Sequence, residues 1–297
     1  MTTPNGVLAG AASIAERRER RSTFSATLRA IYIIWYRDVL RFWRDRSRLV
    51  AAFAQPILYL VIFGTGLSSA LSGGGRFGGG GQALNYTTFI YPGIIGMTVL
   101  FGSIFSAMSI VWDREFGFLK EVMVAPIDRS AVAIGKSLGG ATQAMVQGLI
   151  LLILAPIVGV KLTVMTVVVL VPLVFVLAFA LSALGVAIAS RMKSMQGFQV
   201  VMNFLMMPIF FLSGALFPVG SSLPDWMKVL TAIDPAAYGI DPIRRVTLEG
   251  TVPGKFLDGM SLTFFGNVVP IWLEVLILLG FGVVALAVAV RNFRIRD

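Results

Sequence analysis

VMTVVVLVPLVFVLAFALSALGVAIAS, residues 164–190, carries no charged side chain along its whole length. A helix rises 1.5 Å per residue and the hydrocarbon of a bilayer is about 30 Å thick, so about 20 apolar residues are enough to cross it. This stretch predicts a membrane-spanning helix. Five others pass the same test, at 49–67, 89–112, 138–160, 200–217 and 268–290. Only the turn around Lys161 separates the third span from the fourth, which predicts a tight hairpin. The fold expected is therefore all-α and polytopic, with six transmembrane helices.

The composition agrees. Of the 297 residues 57% are hydrophobic and 13% charged, against about 25% charged in soluble domains. A soluble domain of this size needs polar surface that this sequence does not have. With no His and no Cys in the chain, zinc sites built from those ligands, thiol nucleophiles, thiolate-bound clusters and disulfides are excluded.

The net charge of +10 is unevenly spread. Nineteen of the 25 Lys and Arg fall in residues 1–48, the 113–137 loop, the 191–199 turn and the C-terminal tail; six fall in the alternate connections. Short cytoplasmic segments are enriched in Lys and Arg, so both termini are expected in the cytoplasm and 218–267 outside. The basic charge reads as a topology signal rather than as nucleic-acid binding. Residues 1–23, including Glu16–Arg21, lack an apolar signal-peptide core and read as a disordered cytoplasmic tail. The Gly-rich stretch 72–81 reads as a flexible outer loop.

Three segments are not ordinary spans. Residues 24–48 place Phe24, Leu28, Ile31, Tyr32, Trp35, Val39, Phe42 and Trp43 on one helical face, with Arg37, Arg41, Arg44 and Arg48 nearly opposite. This pattern suits an amphipathic helix lying at the membrane surface, or an extension of the first span. The 113–137 loop, DREFGFLKEVMVAPIDRSAVAIGK over 113–136, balances four acids against four bases. Its first residues, 113–123, predict a short amphipathic helix bearing Phe116, Leu119 and Met123 and ended by Pro126. Such an element is either a docking site for a soluble partner or a solvated connector. In 218–267, LPDWMKVLTAI at 223–233 is amphipathic, and Pro235 and Pro242 are expected to break residues 234–246 into short pieces. The helices there are too short to cross, and they read as re-entrant or interfacial.

Gly135-Lys136-Ser137 matches the end of a phosphate-binding loop, but the first glycine of that motif would fall at Ser130 and no strand precedes it. We expect no nucleotide site, no catalytic residue, no metal and no cofactor in this chain.

These segments together resemble the ABC type-two (ABC-2 type) export permeases, nearest the daunorubicin-resistance permease subgroup. Arg114-Glu115, Gly117, Ala125-Pro126, Arg129 and Gly135-Lys136 stand where the family's first cytoplasmic loop carries its characteristic residues. FLSGALFP at 211–218, then Asp234-Pro235, Tyr238 and Arg244, resemble the end of its fifth span and its outer re-entrant region. Many members carry Glu where Lys120 stands here, and Asn in place of Asp234.

The resemblance covers about residues 24–297. It implies a domain plan of an amphipathic helix at 24–48 and a six-span domain at 49–297, in a bacterial-type inner membrane. It also implies a permease subunit with no enzymatic activity of its own, which forms a homodimer and pairs with a separate ABC ATPase that binds ATP and Mg. Contact with the ATPase would fall on Arg37, Arg41, Arg44, Asp113, Arg114, Glu115 and Lys120. The substrate, a drug, lipid, polyketide or glycoconjugate, would pass along the dimer interface lined by the first, second and fifth spans, near Gln199 and Asn203.

Two other classes stay open on the residues alone. An ion-coupled transporter or channel would use intramembrane ionisable groups, and Glu274 is the one acid clearly inside a span. Gln143, Gln147, Gln199 and Asn203 either bond between helices or face a substrate. A membrane enzyme would need a positioned acid, base, nucleophile or metal, and the outer acids Asp225, Asp234, Asp241 and Glu249 read more simply as caps and solubilising groups.

Overall fold

The computed structural model describes residues 25–62, 66, 86–116, 128–160, 162–219, 223–264 and 267–295. Expectations placed on 1–23, on 72–81, and on Leu119, Lys120, Met123 and Pro126 lie outside them.

The first described helix is α1, residues 25–44, followed after Asp45 by α2, Arg46–Val61. The second span is α3, Tyr86–Ser106, and it continues after a one-residue break at Ala107 as α4, Met108–Glu115. Next comes α5, Arg129–Leu151, with a 3-10 turn at Leu152–Leu154. Helices α6, Val164–Ala189, and α7, Met195–Leu212, come after it. Three short helices precede the last span: α8, Asp225–Ile233; α9, Ala237–Leu248; and α10, Gly254–Met260. A two-stranded antiparallel hairpin, Thr263–Phe264 with Asn267–Val268, leads into α11, Ile271–Ile295. Among the described residues, five helical stretches are long and apolar enough to cross a membrane; α2, the described part of the expected first span, is shorter. The fold is all-α and polytopic, with almost no sheet.

Local chemistry moves several ends from where hydropathy puts them. Helix α5 begins nine residues before the expected 138, because the Asp128 carboxylate caps it by accepting from the Ser130 N–H at 2.9 Å. Helix α7 runs five residues earlier than expected at both ends. Ser194 caps its start by accepting from the Gly197 N–H at 3.2 Å, and Gly214, at φ +75°, turns the chain just beyond its end. Pro242 does not break residues 234–246 as expected. It lies inside α9, where packing against α3, α6 and α11 holds the helix together although proline supplies no N–H.

Helices α3, α5, α6 and α11 pack together as the central bundle. Gly93 of α3 lets the end of α7 approach so closely that a Cβ there would collide with the Ala215 carbonyl oxygen. At the same level Arg244 of α9 is buried, donates to the carbonyls of Gly214 and Ala215, and lies 4.9 Å from the Phe89 ring centroid. At the opposite end, the Asn292 amide donates to the Ala187 carbonyl at 3.3 Å and to Ser190 Oγ at 2.9 Å, tying α11 to α6.

Candidate functional site

The end of the bundle that carries α4 and the start of α5 also holds α1, and the contact is built on glycine. Gly135 and Gly139, one turn apart on α5, leave a recess into which α1 settles. A Cβ at Gly135 would meet Ile34 at 2.9 Å, and one at Gly139 would meet Asp38 at 3.1 Å. Small residues at this spacing allow helices to approach closely. Trp35 Nε1 donates to Thr142 Oγ1 at 3.0 Å, and the Gln143 amide donates to the Asp38 carbonyl at 3.1 Å.

The buried line on α1 is Ala30, Ile34, Asp38 and Phe42. It differs from the aromatic face read from the sequence, since Tyr32 is 58% exposed and Trp43 is exposed as well. The glycine recess selects the narrower line, including an aspartate that hydropathy would place outside. Leu28, Tyr32, Ile33, Tyr36 and Trp43 remain turned outward.

A charge network closes this contact. Lys136 is 4% exposed, and its ammonium donates to Asp113 at 2.9 Å, to Asp38 at 3.2 Å and to Ser109 Oγ at 3.0 Å. Arg37 bonds Asp113 at 3.1 Å, and Arg41 lies 3.6 Å from the same carboxylate and 5.3 Å from the Trp112 ring centroid. Three cations thus enclose two carboxylates from α1 and α4. Of these five groups, the family resemblance assigns ATPase contact to Arg37, Arg41 and Asp113, and none to Asp38 or Lys136. The glycine pair in the same stretch was the available signal. Arg44 is exposed.

Arg114 and Glu115 reach a different place. Arg114 donates to the Met192 carbonyl at 2.5 Å and the Ala189 carbonyl at 3.4 Å, just past the end of α6. Glu115 accepts from the Met195 N–H at 3.1 Å, at the first residue of α7. A cation at a helix C-terminus and an anion at an N-terminus both match the helix dipole. The tip of α4 therefore grips the turn joining α6 and α7. It is held in turn to α1 and α5 through Asp113.

Gln199 and Asn203 are brought together on one exposed face of α7, among Val200, Phe204, Met207 and Phe211. Glu274 is fully buried near the other end of the bundle, where its carboxylate accepts from Arg245 at 2.5 Å; Arg245 also bonds Asp241 at 2.6 Å. Asp241 further accepts from the Leu262 N–H at 3.1 Å. Glu274 thus ties α11 to α9. Asp234, between α8 and α9, accepts from the Ala236 N–H at 3.0 Å, and burial pushes its carboxyl up to about 7.

Several long apolar helices joined by short ones make this a multi-pass membrane protein. The chain belongs to the ABC-2 type transporter family, whose model matches residues 29–248. It is 26% identical over 219 residues to a Cyanophora paradoxa protein named as transport permease ycf38, covering 73% of each chain. It is 26% identical over 219 residues to Nodulation protein J of Rhizobium leguminosarum bv. viciae, covering 72% of this chain and 81% of that one. It is also 28% identical over 174 residues to an Escherichia coli (strain K12) protein named as multidrug ABC transporter permease YbhR, covering 56% of this chain and 45% of that one. The protein is a membrane transport permease.

Proposed function

We propose that this chain is the membrane subunit of an ATP-driven exporter. It moves a hydrophobic or amphipathic substrate out of the cytoplasm, using ATP and Mg bound by a separate cassette ATPase. The end bearing α1 and α4 faces the cytoplasm of a bacterial-type cell, as the positive-inside rule requires. The outward apolar residues of α1 rest in the membrane surface. A second copy covers the exposed face of α7, where Gln199 and Asn203 interrupt an apolar stripe and line the substrate path.

One observation carries this reading: the tip of α4 is bound at once to α1, to α5 and to the turn between α6 and α7. A force applied there by a nucleotide-driven partner would reach four spans through ion pairs and helix caps. Arg37, Arg41, Arg44, Asp113, Arg114, Glu115 and Lys120 form the coupling region. Within it, the buried groups act as internal links, while exposed Arg44 and Glu115 are available to the ATPase.

The test is co-purification with the cognate cassette ATPase. Breaking an interfacial charge pair costs about 2–5 kcal/mol where the remaining charge is buried. Glu115→Arg is expected to weaken assembly while the spans still insert. Because Glu115 also caps α7, Glu115→Gln serves as the control that keeps an acceptor for the Met195 N–H. Normal assembly and normal coupling in a Glu115→Arg, Lys120→Glu double variant would reduce this region to a connector.

A further inference from the structure

A cavity of about 180 Å³ lies between α2, α3 and α5, and Gln55, Thr98 and Gln147 are its polar lining residues. It is separate from the α7 face that carries Gln199 and Asn203. Gln147 is 5% exposed, and among the described residues its amide has no hydrogen-bond partner. Gly102 makes room for that amide, since a Cβ at this position would lie 2.7 Å from Gln147 Oε1. Thr98 donates to its own helix, to the Ile94 carbonyl at 2.8 Å, which leaves its oxygen able to accept. Phe101 and Phe105, stacked with centroids 6.3 Å apart, supply an apolar wall.

An amide on a cavity wall favours a ligand that supplies a hydrogen-bond partner for it. No lining residue is charged, and an ion without a counter-charge is strongly disfavoured in such surroundings. A cavity of about 150 Å³ accepts benzene, so this one accepts a single ring-sized group. Ala51 and Gln55 are exposed at its margin, where the rest of a longer molecule can leave towards lipid.

We propose that this cavity binds the uncharged, hydrogen-bonding ring or headgroup of an amphiphile, and that Gln147 selects for it. That the occupant is the transported substrate rests on the permease reading above; the binding itself does not.

The chain has no cysteine, so Ala52→Cys places a single thiol in the cavity wall. The purified chain in nanodiscs is labelled with N-ethylmaleimide in the presence of decyl glucoside, decanoate or decyltrimethylammonium. At ten times its Kd, decyl glucoside is expected to slow labelling about ten-fold, with little protection from either charged amphiphile. Gln147→Leu should abolish that protection and Gln147→Asn should retain part of it, with thermal unfolding followed to confirm the fold. Should Gln147→Leu not fold, Gly102→Ala, which displaces the amide, is expected to weaken protection in its place.

Equal protection by all three amphiphiles, as from a lipid-filled crevice, would overturn the proposal. So would undiminished glucoside protection in Gln147→Leu. Because labelling needs no ATPase, protection without ATP-driven transport would support the site and remove only its assignment to a substrate. Transport without protection would overturn the site alone.

Discussion

A lysine ammonium at 4% exposure is stable only among compensating charges. Lys136 has two, Asp38 and Asp113, supplied by different helices. Lys136→Met removes the cation both share and leaves Asp38 with Arg37 at 3.6 Å. Breaking a buried pair from one side costs about 3–5 kcal/mol, so the thermal midpoint in detergent is expected to fall, and Asp38→Asn in the same chain should recover part of the loss. Asp234 behaves in the opposite way. Its carboxyl is raised by burial from 3.8 to about 7, so the folded state holds the proton that the unfolded state releases. Its contribution to stability is complete below the unfolded value, declines as pH rises, and is lost once pH passes the folded value. The midpoint should therefore drop between about pH 4 and pH 7, and Asp234→Asn should flatten that dependence. If Asp234→Asn followed the parent curve, another group would be responsible. The sequence showed Lys136 within a false nucleotide motif and within the family resemblance, but not as a buried cation. Its partner Asp38 lies 98 positions away, and no local pattern links those two.

Among the helices, glycine decides how α1 sits. Gly135→Leu would drive side-chain carbons into Ile34, already 2.9 Å from a Cβ there, and is expected to lift α1 off α5. In this cysteine-free chain, Trp35→Cys with Thr142→Cys replaces a hydrogen-bonded pair. A short bis-maleimide should cross-link the two thiols in the parent background and fail to do so with Gly135→Leu. Unchanged cross-linking would show that the recess does not position α1. The existence of the helices was legible from apolar runs of about 20 residues; their ends were not. Asp128, Ser194 and Gly214 set those ends through single hydrogen bonds or one backbone angle, which an average over a window of residues cannot resolve. The short helix α8 was legible from its amphipathic spacing. The passage of α9 through Pro242 was not, because it depends on packing against distant spans.

At the scale of the whole molecule, the sequence revealed the membrane fold and the family resemblance, and named three of the five groups of the charge network. It missed how α4 joins that network to the turn between α6 and α7, since those contacts bring together positions 75–80 residues apart. This linkage supports the proposal that the permease is driven from one end. The most direct measurement is transport of a fluorescent amphiphile in proteoliposomes containing the permease, with and without its cassette ATPase, at equal pH and sodium on both sides. Transport is expected only when the ATPase and Mg-ATP are both present, with coupling lost in the Glu115→Arg, Lys120→Glu variant. Transport by the permease alone, driven by an imposed pH or sodium gradient, would contradict an ATP-driven mechanism.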